Sequence, residues 1–151
     1  MVMIQKRELL HIWKELDINQ NKYTMDKEDY VSLKVAKLLK EKGFDEYCEA
    51  YYHLCCDDAT EEECFEKSSD KDFKNCNNKF RVGSPTLYEA QKWLRKTYNI
   101  DVLPIIRQES LKKDYCCYIY KDAKVISCKV AYGEDLYECI NDSLIEALKY
   151  I

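Results

Sequence analysis

Apolar and polar residues follow a helical spacing in the first third of the chain. The spacing predicts a first helix over 4–16 and a second helix that begins after Ser32 and ends at Gly43. A third, shorter helix would start at Asp45 and carry a group of tyrosines, Tyr47, Tyr51 and Tyr52. Residues 1–54 are therefore predicted to form a helical region.

The next segment, residues 55–83, has no clean hydrophobic period. It begins with an acidic run and continues with a mixed, asparagine-rich stretch. Such a composition is typical of a loop. We therefore expect a long loop with a single helical turn around 61–66.

The pattern from residue 84 to residue 151 predicts a helix, three strands and a closing helix. Thr86 and Glu89 have the T-x-x-E spacing of a capping box, which marks the start of the opening helix. Strands are predicted over 100–106, 115–120 and 125–132, with a turn at 121–124. Because Pro104 cannot donate a ladder hydrogen bond, the first of these strands should lie at a sheet edge or be broken at Pro104.

Side chains of the third predicted strand alternate in character. We expect the set Ile126, Cys128, Val130 and Tyr132 to face the core. The predicted fold class is α+β, with an N-terminal helical region and an αβββα unit whose three-stranded antiparallel sheet has flanking helices. The predicted divisions are 1–54, 55–83 and 84–151.

Charge and targeting signals narrow the function classes. The formal net charge is −4 over 151 residues, so the chain offers no general attraction to nucleic acid or to an anionic membrane. No apolar stretch reaches the length of about 20 residues that crosses a bilayer. The first residues interleave charges with apolar side chains, which favours a helix over a signal peptide. We expect a protein of the host-cell cytoplasm.

Nine cysteines give an odd count with irregular spacing, which favours reduced thiols. Cys48, Cys55, Cys56, Cys64 and Cys76 lack the C-x-x-C spacing of a zinc site, so no metal or other cofactor is expected. His11 and His53 stand in no nucleophile or metalloprotease motif. We therefore predict a protein that is not an enzyme.

Two elements invite a nucleic-acid interpretation, and both carry the wrong charge for it. The step between the second and third predicted helices has the outline of a helix-turn-helix, but its second helix would open with Asp45 and Glu46. The αβββα order resembles the double-stranded-RNA-binding domain, whose last helix opens with lysines; here the matching residues are Glu134 and Asp135. Nucleic-acid binding is disfavoured.

Candidate binding residues lie on the opening helix of the second half and among the tyrosines. Thr86 stands at a helix N-terminus, where anions bind, and the polar face of the same helix shows Gln91, Lys92 and Arg95. Tyr51 and Tyr52 combine contact area with a polar tip, which suits an interface as well as a small core.

Two stretches and the C-terminal end carry a family resemblance. The stretches are YVSLKVAKLLKEKGFDEYCEAYY and SPTLYEAQKWLRKTYNIDVLPI, and the end is EALKYI. The sequence resembles small proteins, without an assigned activity, of gut Bacteroidetes and of their phages and prophages, over Tyr30–Tyr52 and Ser84–Ile151. The resemblance implies a phage or mobile-element accessory protein made in the host cytoplasm.

Three functions remain open. The first is a non-enzymatic accessory protein that binds a host or phage protein. The second is a protein that sequesters a small anionic ligand, such as a nucleotide, and the third is a structural virion component. A homodimer formed through sheet edges is compatible with each of them.

Overall fold

The structure, a computed structural model, describes residues 26–54, 64–68, 79–109, 112–131 and 135–151. The helix predicted over 4–16 lies outside the described residues. A short 3₁₀ turn, Lys27–Asp29, comes first. The described chain then forms three α-helices and two three-stranded antiparallel sheets, so the fold is α+β.

Helix α1, Leu33–Glu41, has the boundaries that its sequence signals predict. The Ser32 hydroxyl accepts a hydrogen bond from the Val35 amide at 3.4 Å, which caps the N-terminus. At the other end Gly43 has φ +91°, a conformation that L-residues rarely adopt. The Phe44 amide then donates to the Leu39 carbonyl at 2.9 Å and turns the chain back onto the helix.

A small sheet replaces two of the predicted features. Its strands are β1 (Ala50–His53), β2 (Phe65–Lys67) and β3 (Arg81–Ser84), in the order β2-β1-β3. The third predicted helix is therefore wrong, because the segment that carries the tyrosines continues as β1. The loop prediction for 55–83 is wrong at β2 and at the start of β3. Both errors concern strands whose partners are remote in sequence, so no local pattern specified them.

The second half has the predicted αβββα order. It comprises α2 (Leu87–Tyr98), β4 (Ile100–Glu109), β5 (Lys112–Lys121), β6 (Lys124–Ala131) and α3 (Leu136–Ala147), with a final 3₁₀ turn at Leu148–Tyr150. The large sheet has the order β4-β5-β6, so Pro104 does lie in an edge strand. Helix α3 packs against all three strands and α2 packs against β4.

The face of β6 that contacts the helices differs from the predicted one. Lys129 lies opposite Cys117, whose sulfur is 3.6 Å from that of Cys139 on α3. Lys129 therefore points toward α3, and its ammonium group is 3.3 Å from the Glu146 carboxylate. Cys128 and Val130 lie on the opposite face and are exposed. Of the predicted core set, only Ile126 packs against the core, and Tyr132 lies outside the described residues.

One hydrophobic core joins the two sheets. It includes Leu39 from α1, Tyr52 and Val82 from the small sheet, and Val102 and Ile119 from the large sheet. The predicted divisions at residues 54 and 84 thus separate segments that share one core. No helix in the described part of the chain is long and apolar enough to cross a membrane.

Candidate functional site

Thr86 caps the N-terminus of α2. Its hydroxyl accepts from the Glu89 amide at 3.1 Å, and the Glu89 carboxylate accepts from the Thr86 amide at 2.8 Å. This is the predicted capping box. Because the Glu89 carboxylate already occupies the position where an external anion would bind, this helix terminus is poorly suited to hold one.

The polar face of α2 is partly engaged in intramolecular pairs. Arg95 forms an ion pair with Asp101 on β4, and this hydrogen bond raises the pKa of Arg95. The Lys92 ammonium lies 6.0 Å from the ring centre of Tyr88, and Gln91 is half-buried. Neither of the two grooves beside α1 is lined by any of the three side chains.

The two candidate tyrosines point to opposite faces of β1. Tyr52 is wholly buried, and its hydroxyl donates to the Val31 carbonyl at 2.8 Å, so it belongs to the core. Tyr51 lies on the outer face of the small sheet and is only 4% exposed. Its ring is covered by the guanidinium of Arg81, 4.5 Å from the ring centre.

Tyr51 is part of a polar cluster that the sequence did not reveal, composed of Tyr51, His53, Glu66 and Arg81. His53 Nε2 and Glu66 Oε2 are 2.7 Å apart, and the rings of Tyr51 and His53 meet edge to face at 5.2 Å. Hydrogen bonds from His53 and then Tyr51 lower the pKa of Glu66. The four residues come from three strands. In the sequence, the spacing of two between Tyr51 and His53, which puts both on one face of a strand, was the single indication that any of them lie together.

Exposed apolar side chains gather on the side of the large sheet that faces away from α3. We call it the open face. Its apolar side chains come from all three strands and comprise Leu103, Ile105, Cys116, Tyr118, Tyr120, Val125, Cys128 and Val130. Leu103 is 44% exposed, Ile105 42%, Val125 53% and Val130 37%. No other described element packs over these side chains.

Charges at the margins of the open face are matched within the fold. Asp101 is paired with Arg95, and Arg107 lies directly opposite Asp114 in the register of β4 and β5. Cys116, at the centre, is only 1% exposed. The open face is therefore an apolar surface with no local excess of either charge.

Five of the six described cysteines are buried, and Cys128 is exposed. Burial raises the pKa of Cys48 and of Cys117 to about 12, so both remain protonated thiols and poor nucleophiles. No group of three or more His, Cys, Asp or Glu side chains within the described ranges is arranged to hold a metal ion. Cys55, Cys56 and Cys76 lie outside those ranges.

The chain matches no protein-family model, no curated protein and no solved structure. Its function is therefore inferred from the surfaces that the fold presents. Two of these surfaces are the open face, with four exposed aliphatic side chains, and the polar cluster, in which His53 and Glu66 are 2.7 Å apart.

Proposed function

We propose that this protein is a non-enzymatic accessory factor of a phage or mobile element that binds a host protein through the open face. The observation that carries the proposal is the exposure of four aliphatic side chains, Leu103, Ile105, Val125 and Val130, on one sheet surface. Contiguous apolar patches on soluble domains mark interaction sites. The resemblance to phage and prophage proteins supplies the biological setting.

The dimensions of the open face favour an amphipathic helix as the binding element of the partner. Neighbouring strands lie about 4.8 Å apart, so three strands span about 10 Å. A helix with its side chains has a diameter of about 10–12 Å. One helix that runs along the strands would thus cover the exposed side chains of β4 and β6 together. It would also contact Tyr118 and Tyr120 of β5, which lie between them.

The charge distribution favours a protein over an anionic partner. Nucleic acid and phosphorylated ligands are held mainly by unpaired basic side chains. On the open face Arg107 lies opposite Asp114, and at its margin Arg95 is paired with Asp101. An apolar protein surface could bind this face without breaking an ion pair. The complex would be stabilised by the burial of the aliphatic residues of the open face.

The other functions have less support. Sequestration of a nucleotide by Thr86, Lys92 and Arg95 would have to compete with the Glu89 carboxylate at the helix start and with the Asp101 ion pair. A virion component or a homodimer would also use an apolar face, and the experiment below distinguishes the homodimer.

The experiment compares capture from host lysate by three full-length proteins. They are the wild type, an Ile105→Glu/Val130→Glu variant, and a Tyr88→Glu control. Ile105 and Val130 flank Cys116 in the register, and both are exposed, so the variant should fold. Tyr88 is 67% exposed on α2, which lies on the other side of the sheet. A host protein retained by the wild type and the control and lost by the open-face variant supports the proposal.

Three results would contradict the proposal. Equal capture by all three proteins would place the binding site elsewhere. Dimerisation that the open-face variant abolishes would assign the face to a second copy. Finally, a Trp13→Glu substitution that newly exposes the face to hydrophobic dyes would assign it to the protein's own predicted first helix.

A further inference from the structure

A groove between α1 and α3 combines an apolar floor with a basic rim. Leu38, Ile145 and Leu148 form the floor, and Lys34, Lys42 and Lys149 form the rim. Its volume is about 330 Å³. Small-molecule sites usually occupy about 300–1,000 Å³, so the groove suits a small ligand.

The three lysines keep donor capacity for a ligand. The Lys42 ammonium donates to the Ile151 backbone oxygen at 2.6 Å, and the Lys149 ammonium is paired with Glu146 at 2.7 Å. Each ammonium group has three hydrogens, so both retain unused donors. Within the described part of the chain no ion pair involves Lys34, which is exposed on the first turn of α1.

The Glu146 carboxylate does not neutralise the rim. Glu146 faces both Lys149 and Lys129, and hydrogen bonds from these lysines lower the pKa of Glu146, which therefore stays ionised. One carboxylate thus faces two lysines, while Lys34, which has no ion pair among the described residues, adds a further positive charge. The rim carries a net positive charge above a floor with no polar side chain.

We propose that this groove binds a small amphipathic anion, a short acyl chain that ends in a carboxylate or phosphate. The chain would lie on Leu38, Ile145 and Leu148, and the head group would accept hydrogen bonds from the lysines. An apolar tail alone would leave the ammonium groups unused, and a compact anion would leave the floor exposed to water. The groove lies on the helix side of the sheet, so the proposal is independent of the open face.

A second groove on the other side of α1 provides a matched comparison. It is lined by Lys37, Lys40, Glu41, Leu54 and Val82, and its volume is about 300 Å³. Its rim includes a carboxylate, and the Lys40 ammonium already donates to the Arg81 carbonyl at 3.1 Å. Lys34 and Lys37 are both exposed and lie one turn apart on the same helix, yet they border different grooves.

The test is isothermal titration calorimetry of the full-length protein with decanoate, decanol, decyl phosphate and acetate. Decanoate and decyl phosphate should bind, decanol should bind at least about tenfold more weakly, and acetate should not bind. The Lys34→Glu variant should bind decanoate about tenfold more weakly than wild type, the loss expected of one partly buried ion pair. The Lys37→Glu control should bind like the wild type, and both variants should keep the wild-type circular dichroism spectrum.

Decanoate and decyl phosphate differ only in the head group, which is a carboxylate in one and a phosphate in the other. A tenfold preference for either ligand would identify the class of head group that the groove binds. Equal losses in the Lys34 and Lys37 variants would overturn the proposal by showing only a general effect of charge. Equal binding of decanol and decanoate would also overturn it, since the basic rim would then play no part. A wild type that fails to bind any acyl anion at millimolar concentration would overturn it outright.

Discussion

At the scale of single residues, the polar cluster shows how three strands make an environment that no one segment contains. Glu66 is exposed, yet its carboxylate accepts from His53 and Tyr51, and this lowers its pKa from the ordinary value of 4.5. A lowered pKa means that the ionised form is preferred in the folded state. The hydrogen bonds therefore stabilise the fold above the unfolded-state pKa, and this contribution is lost as the pH falls through the folded-state pKa.

The first prediction concerns the hydrogen bond from His53, which lowers the pKa of Glu66 more than the one from Tyr51 does. Replacing His53 with Phe, which keeps a ring but has no hydrogen-bond donor, should raise the titration midpoint of Glu66 toward 4.5, because the His53 hydrogen bond is the largest cause of the lowering. Carboxyl carbon shifts followed by NMR between pH 2 and pH 7 measure the midpoint directly. Glu146 is the internal control, since its pKa is lowered by Lys149 and Lys129. A Glu66 midpoint that does not move in the variant would contradict the assignment.

The role of a residue could be predicted from the sequence where that role depends on residues close by in the chain. The capping box of Thr86 and Glu89 is a four-residue motif, and the structure has it as predicted. Tyr52 is the opposite case, because its burial and its hydrogen bond to Val31 depend on a residue 21 positions away. The groove lysines were not predicted as a site, because Lys34 and Lys149 meet only when α1 packs near α3.

At the scale of elements, the β5–β6 hairpin has a turn that its sequence fits imperfectly. Asp122 has φ +51° and Ala123 has φ +62°, so both turn residues lie in the left-handed region. Such two-residue turns favour Asn-Gly or Asp-Gly, because a left-handed conformation is costly for residues with a Cβ atom. The turn therefore holds strain that the pairing of ten-residue β5 with β6 outweighs.

The second prediction is that Ala123→Gly stabilises the protein by about 0.5–1 kcal/mol, the relief of left-handed strain less the added chain entropy of Gly. Urea unfolding measures the change. Lys124→Gly is the matched control, because Lys124 is the first strand residue after the turn and does not have a positive φ. It should destabilise the protein, since Gly adds chain entropy without relieving any left-handed strain at this position. Destabilisation by both substitutions would contradict the strain argument.

Elements with signals at both ends were predicted well, and elements defined by remote pairing were not. Helix α1 had Ser32 and Gly43, and the second half had a capping box, a hairpin and an edge proline. Strand β1 was predicted as a helix because its tyrosines suit either structure, and its partner β3 begins 28 residues after β1 ends. The face of β6 was mispredicted because the apolar residues Cys128 and Val130 lie on the open face, while the polar Lys129 faces α3.

At the scale of the molecule, described elements from all three predicted divisions share one core. The small sheet supplies Tyr52 and Val82, and the large sheet supplies Val102 and Ile119, to the same cluster. Helix α3 contacts the whole large sheet and also α1. Both proposed binding surfaces thus lie on one body, the open face on the sheet side and the basic groove on the helix side.

The third prediction is that the protein unfolds in a single cooperative transition. Leu39→Ala in α1 and Ile119→Ala in β5 remove fully buried side chains, and each should cost about 2–5 kcal/mol. Because both residues belong to one core, each substitution should shift the urea midpoint of the whole protein with little change in slope.

Two probes decide between one transition and two. Far-UV circular dichroism follows all the helices and strands, and fluorescence follows Trp93, which packs against Phe44 at 5.5 Å and Tyr98 at 5.2 Å. The chain has two tryptophans, so the experiment uses a Trp13→Phe background in which Trp93 is the only one. Coincident curves for both substitutions would support a single core. The contradicting result would be a Leu39→Ala protein whose ellipticity falls at a lower urea concentration than its Trp93 fluorescence changes. Such a difference would mean that α1 and the small sheet unfold before the large sheet and have a core of their own.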